Sequence, residues 1–132
     1  MGGEAMSTKI LAVDDSCSMR QMVRTALEAE GYEVREAQNG QEALRVLDEA
    51  PADLMISDLY MPTMDGLTLL KHVRQHPQHR FMPVLLLTTE NGEEIKQRGR
   101  ASGATGWLVK PFQPEQLRQV VARVLGAARV RA

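Results

Sequence analysis

The chain has one cysteine, Cys17, so no internal disulfide can hold it together. Aromatic residues make up only 4% of its 132 residues, and its net charge of -1 lacks the excess of one sign that marks a nucleic-acid-binding surface. No apolar run approaches the roughly 18 residues needed to span a bilayer, and residues 1–7 lack the charged and apolar regions of a signal peptide. No repeat, linker or low-complexity tract separates two domains. These absences exclude a disulfide scaffold, a membrane-inserted protein and a dedicated nucleic-acid binder. The expectation is one cytoplasmic, monomeric domain over residues 8–129, with a loose leader at 1–7 and a frayed basic tail at 130–132.

What is present alternates. Short runs rich in Val, Ile and Leu lie near 9–13, 54–57, 83–87 and 105–109, as suits strands buried on both faces of a parallel sheet. Residues 32–37 alternate apolar and polar, as an edge strand does. Between them, Met19, Met22, Val23, Ala26 and Leu27 repeat at helical spacing, as do Leu117, Val120, Val121, Val124 and Leu125 after Pro114. Helical segments are also expected at 40–50, 65–75 and 93–102. The pattern is (βα)₅, a doubly wound α/β fold around a five-stranded parallel sheet. Such sheets bind ligands beyond the carboxyl ends of their strands.

That edge collects the chemistry. Asp14 and Asp15 follow the first apolar run, Asp58 the third strand, Thr88 the fourth and Lys110 the fifth. Three carboxylates together repel, by roughly 4 kcal/mol per pair at 4 Å and an effective dielectric near 20. A hard cation with few protein ligands, Mg²⁺, is the natural occupant. Asp58 is the candidate nucleophile, because the adjacent acidic pair can hold the metal and a carboxylate can form an acyl phosphate. Thr88 can donate its hydroxyl to a phosphoryl oxygen, and Lys110 can pair with Asp58 and then with the phosphoryl group. A lone strand-end Asp is more often a turn or cap residue, and Thr88 or Thr89 could cap the following helix. The convergence of five groups favours the chemical reading.

Asp14-Asp15, Asp58 with Met61-Pro62 and Asp65-Gly66, Thr88, and Lys110-Pro111-Phe112 occur in one order along the chain, with Ser18-Met19-Arg20 and Gly103-Ala104 beside them. In these residues the chain resembles response-regulator receiver domains of the CheY-like, single-domain type. The strand order 2-1-3-4-5 follows from the resemblance, being the documented order of flavodoxin-like and CheY-like sheets. The resemblance implies a phosphoprotein of two-component, phosphorelay signal transduction, most readily in chemotaxis or motility. A histidine kinase or small phosphodonor would supply the phosphoryl group to Asp58. Mg²⁺ would be bound by Asp15, Asp58 and the backbone carbonyl of Tyr60, with Asp14 acting through water. Thr88 and the aromatic Trp107 would move as a switch, and Lys110-Pro111 would be cis. The face of the fourth helix, fifth strand and fifth helix would then bind a target protein. In residues 93–102, Glu93 and Glu94 precede Lys96, Arg98 and Arg100, which first suits a solvated helix with charges matched to its dipole; the functional reading is a basic partner face extended by Arg118 and Arg123.

Two positions differ from the usual pattern of the family: Trp107 replaces Tyr or Phe, and Tyr60 stands where Asn is frequent. The expected chemistry is self-catalysed phosphorylation and dephosphorylation of Asp58, so the chain is not expected to be an enzyme. Alternatives are a phosphorelay intermediate serving a histidine phosphotransfer protein, a docking-only pseudo-receiver, a flavin carrier and a Mg²⁺-dependent phosphatase of the haloacid dehalogenase type. Asp14-Asp15 would repel a flavin phosphate. The phosphatase resemblance expects an Asp at position 60.

Overall fold

The computed structural model describes the backbone of residues 7–131 and the side chains of 7–126; Met1–Met6, most of the expected leader, lie outside the described residues. Strands and helices alternate throughout: β1 (Lys9–Val13), α1 (Cys17–Glu28), β2 (Glu33–Ala37), α2 (Gly40–Glu49), β3 (Leu54–Asp58), α3 (Gly66–Gln75), β4 (Val84–Thr88), α4 (Glu93–Ala101), β5 (Gly106–Val109) and α5 (Pro114–Arg131). All strand pairs are parallel, in the order β2-β1-β3-β4-β5. The fold is the expected one. Helix α5 continues through Arg131. Residues 127–131 contain no Gly or Pro that would stop a helix.

The two-residue period of the strands sorts the core into two layers. Leu11, Val13, Met55, Val84 and Leu86 face one way, against Ala43 and Leu47 of α2, Leu69, Leu70 and Val73 of α3, and Ile95 of α4. Ile10, Ala12, Leu54, Ile56, Leu85 and Leu87 face the other, against Val23, Ala26 and Leu27 of α1 and Leu117, Val121 and Leu125 of α5. With both faces covered, β3 and β4 are buried along their whole length. Edge strand β2 is partly exposed, as its alternation predicts.

Helix starts are set by side chains at the carboxyl rim of the sheet. Ser16 accepts from Met19 N at 3.2 Å, Asn39 from Glu42 N at 2.8 Å and Asp65 from Thr68 N at 2.8 Å. Each bond satisfies an otherwise free amide of a first turn. α4 has no such cap: its N-cap is Gly92, and neither Thr88 nor Thr89 serves it. It buries only Ile95 and Gly99, and its charges are ordered for the helix dipole, Glu93 and Glu94 first, Arg98 and Arg100 last. It is the most weakly anchored of the five helices.

Arg74 of α3 secures the neighbouring loops. Its guanidinium donates to Gly103 O at 2.8 and 3.0 Å, to Met82 O at 2.7 Å and to Arg80 O at 3.1 Å. Gly103 holds a positive φ of 100° and leaves room for that guanidinium, which would stand 2.8 Å from any Cβ there.

Candidate functional site

The ends of β1, β3, β4 and β5 bring the sequence-selected groups to one rim. Asp14 follows β1 and is buried, with its backbone N–H still donating to Ala37 O at 3.1 Å. Its Oδ1 accepts from Ser16 N at 2.9 Å, which turns the chain into α1. Asp15 beside it is exposed. Asp58 is the last residue of β3 and 8% exposed. Lys110 N donates to Thr88 O at 2.7 Å, extending the β4–β5 pairing past the strand, and Lys110-Pro111 is cis.

Lys110 Nζ lies 3.1 Å from Asp58 Oδ1 and 3.4 Å from Asp14 Oδ2. Carboxylate oxygens of Asp14, Asp15 and Asp58 all lie within 4.8 Å of one another. One ammonium therefore faces three carboxylates. The imbalance shows on Asp58, whose carboxyl is held above its ordinary value of 3.8 by burial first and Asp14 second, against the hydrogen bond from Lys110. A donor set of oxygens only, two of them on buried residues and one open to water through Asp15, fits a hard divalent cation that keeps part of its hydration.

The sign of the Asp58 shift sets a prediction. A carboxyl raised on folding binds its proton more tightly in the folded chain, so its contribution to stability is present at acid pH and lost as pH rises through the raised value. Ionised Asp58 is thus a burden at neutral pH. Without Mg²⁺, Asp58→Asn should melt higher than wild type at neutral pH. The gain should shrink toward pH 4, and thermal melts at the two pH values check both statements.

Thr88 is 1% exposed, and its Oγ1 accepts from Glu90 N at 3.1 Å, which leaves its own proton to donate. Tyr60 places its ring outside, 52% exposed, and its hydroxyl donates to Glu90 Oε2 at 2.5 Å. Hydrogen-bonding to Glu90 raises the phenol above its ordinary range, so the proton stays on Tyr60. The pair joins the loop after β3 to the loop after β4.

Trp107 lies on β5 opposite Leu86 and is partly buried against the α2–α3–α4 layer. Its ring fits because Gly99 of α4 has no side chain: a Cβ there would stand 2.7 Å from Trp107 Cζ3. Its buried indole N–H has no hydrogen-bond partner. The basic surface beside it is formed by Lys96 and Arg100. Arg118, an expected extension, instead pairs with Glu115 at 2.8 Å and approaches Glu30 at 4.0 Å, because α5 packs beside α1 on the opposite layer.

Two supports of the site were not assigned a role from sequence. Arg20 bridges the Asp14 carbonyl (2.5 Å) and Glu36 (2.9 Å), fixing the turn that aims Asp14. Gly66 packs directly on the backbone that carries the Asp58 carbonyl; a Cβ would lie 3.0 Å from Leu59 Cα and closer still to Asp58 O. The residues were visible in the sequence, but these contacts arise only from folding.

A family model described as the response regulator receiver domain matches residues 10–122. The chemotaxis protein CheY1 of Helicobacter pylori is 39% identical over 120 residues, covering 89% of this chain and 97% of its own length. The transcriptional regulatory protein SrrA of Staphylococcus aureus is 40% identical over 119 residues, 90% of this chain but only 47% of SrrA. Among solved structures, the chemotaxis response regulator CheY4 of Vibrio cholerae superposes with a TM-score of 0.87 at 52% identity, covering 90% of this chain and 99% of that one.

Proposed function

Because this chain belongs to the response regulator receiver domain family, we propose that it is a phosphorylation-driven switch of two-component signalling, with Asp58 as the phosphoacceptor. The observation that carries this reading is Asp58 itself, buried at the end of β3 with Lys110 Nζ at 3.1 Å and two further carboxylates within reach. An Asp58 oxygen attacks the phosphorus of a phosphohistidine or small acyl phosphate. The bond to the leaving nitrogen or oxygen breaks, and its electron pair leaves with that group. Lys110 is placed to follow the developing charge from Asp58 onto the phosphoryl oxygens, and Thr88 to donate its hydroxyl to one of them. Mg²⁺, held by Asp15, Asp58 and the Tyr60 carbonyl with Asp14 through water, would neutralise charge on the transferring group. The phosphoryl group ends on the chain, so this is switching rather than enzymatic turnover.

The output surface is α4-β5-α5, and the site in this reading lies in the cytoplasm. Among the described residues no helix is long and apolar enough to cross a membrane. Chemotaxis or motility is the favoured circuit, supported by the similarity to the chemotaxis proteins CheY1 and CheY4 over nearly their whole lengths. Transfer onward to a histidine phosphotransfer protein is the alternative circuit.

Trp107 is the chain's one tryptophan, so its emission reports the output face directly. Adding acetyl phosphate with Mg²⁺ should change that emission in wild type and leave it unchanged in Asp58→Asn. A steady signal from a chain carrying the phosphoryl mass would remove Trp107 from the switch.

The Tyr60–Glu90 bridge crosses between the loops beside the phosphoryl position. A ring there restricts the approach of water to an acyl phosphate. Tyr60→Asn should therefore lose its phosphoryl group several-fold faster, followed by intact mass after removal of the donor. Equal decay rates would show that the bridge does not screen the site.

A further inference from the structure

The opposite end of the sheet gathers a second set of side chains of the types that ligate metals. α2 and α3 both run from the carboxyl rim back toward the amino ends of β3 and β4. Asp48, near the end of α2, therefore meets His76 and His79, just past α3. A carboxylate oxygen of Asp48 and one nitrogen from each imidazole lie within 4.8 Å of one another. His76 Nε2 and Asp48 Oδ1 are 3.4 Å apart, close to the about 3.3 Å edge of a tetrahedron with ligands about 2.0 Å from zinc. The two rings sit with centroids 4.3 Å apart and planes inclined by 34°.

An independent observation points to a ligand. His79 is only 3% exposed, and its Nε2 is buried without a hydrogen-bond partner. Buried polar atoms are nearly always paired, and an unpaired one on a residue of this cluster calls for a partner. Nothing in the phosphoacceptor reading uses this nitrogen.

We propose that Asp48, His76 and His79 form a second metal site, selective for a borderline divalent ion such as Zn²⁺. Two imidazoles and one carboxylate match the donor set of zinc sites that keep an open position for water. Nitrogen donors also set this site apart from the all-oxygen cluster around Asp58, which suits Mg²⁺. The proton balance is local. His76 Nδ1 accepts from Gln78 N at 3.1 Å, so Nε2 carries the ring proton toward Asp48. Binding through Nε2 moves that proton to Nδ1, and the contact between the ring and the Gln78 N–H is given up. The ion would tie the end of α2 to the turn after α3, a link separate from the carboxyl-rim site.

The test is a calorimetric titration of the 132-residue chain with Zn²⁺ in excess Mg²⁺, which keeps the acidic cluster occupied. One Zn²⁺ should bind per chain, and Co²⁺ in its place should give the visible absorption of a low-coordinate nitrogen–oxygen site. His76→Ala and Asp48→Asn change exposed or half-exposed side chains, so folding is retained. Each should weaken Zn²⁺ binding by about tenfold or more, since even lost supporting residues cost that much. Both should leave Mg²⁺-dependent phosphorylation unchanged. Unaltered Zn²⁺ affinity in both variants, or binding lost only in Asp58→Asn, would place the ion elsewhere and overturn the assignment. Absence of binding in wild type would overturn it as well.

Discussion

Lys110→Met is expected to lower stability by about 3 kcal/mol in the absence of Mg²⁺, and most of that loss should return when Mg²⁺ is added. Lys110 is the sole cation within salt-bridge distance of Asp14 and Asp58 among the described residues, and all three side chains are largely buried. Removing one member of a buried ion pair costs about 3–5 kcal/mol, because the charge left behind stays desolvated. Methionine keeps the length and apolar stem, so the effect isolates the ammonium. Exposed Asp15 lets water into one side of the cluster, which holds the loss near the lower end of that range. A divalent cation replaces the missing charge, hence the rescue. Asp58 is held above its ordinary carboxyl value, so acidification neutralises it early and the deficit should shrink as pH falls through that raised value. Urea midpoints with and without Mg²⁺, at neutral and acid pH, give all three comparisons. A loss unaffected by Mg²⁺ would mean that Lys110 acts through packing.

Gly66→Ala should be as damaging by a different route. The added Cβ would meet backbone, the Asp58 carbonyl and Leu59 Cα, which cannot rotate aside as a side chain can. Gly66 N also donates to Leu59 O at 2.7 Å, holding the two segments at that separation. Overpacking of this kind costs about 1–3 kcal/mol, and a rigid backbone neighbour places it at the upper end. Relief of the contact displaces Asp58, so phosphorylation should slow by roughly 10²-fold, the scale set by a misplacement of about 1 Å. Gly126→Ala is the control: a Cβ there meets nothing within 4 Å, and alanine inside helix α5 should add about 0.5–1 kcal/mol. Equal behaviour of the two variants would contradict the close-approach argument.

The strands and the rim were legible because they depend on composition and period. Runs such as Leu54–Ser57 identify buried strands, and in a parallel sheet every residue just past a strand falls on one edge. That logic alone puts Asp14, Asp58, Thr88 and Lys110 together. What escaped the sequence depends on distances between segments. Gly66 stands in the sequence only as half of the Asp65-Gly66 pair, yet its role is to admit the Asp58 carbonyl. Gly99 gave no sign that it makes room for the Trp107 ring. Arg118 was grouped with the basic residues of α4 by charge, whereas α5 crosses to the layer of α1 and turns that side chain toward Glu30 and Glu115. His76 and His79 lie in a polar stretch without strand or helix period, and only the antiparallel return of α2 and α3 from the rim brings Asp48 to them. Local pattern reveals elements and the edge they share, while contacts between helices on one layer require the fold.

Phosphorylation of Asp58 is tested most directly by intact mass of the chain incubated with acetyl phosphate, with and without Mg²⁺, beside Asp58→Asn. Wild type should carry a single phosphoryl adduct that needs Mg²⁺ and is missing from the variant. A phosphoryl adduct that persists in Asp58→Asn, or none in wild type with either acetyl phosphate or a phosphorylated histidine kinase as donor, would contradict phosphorylation at Asp58.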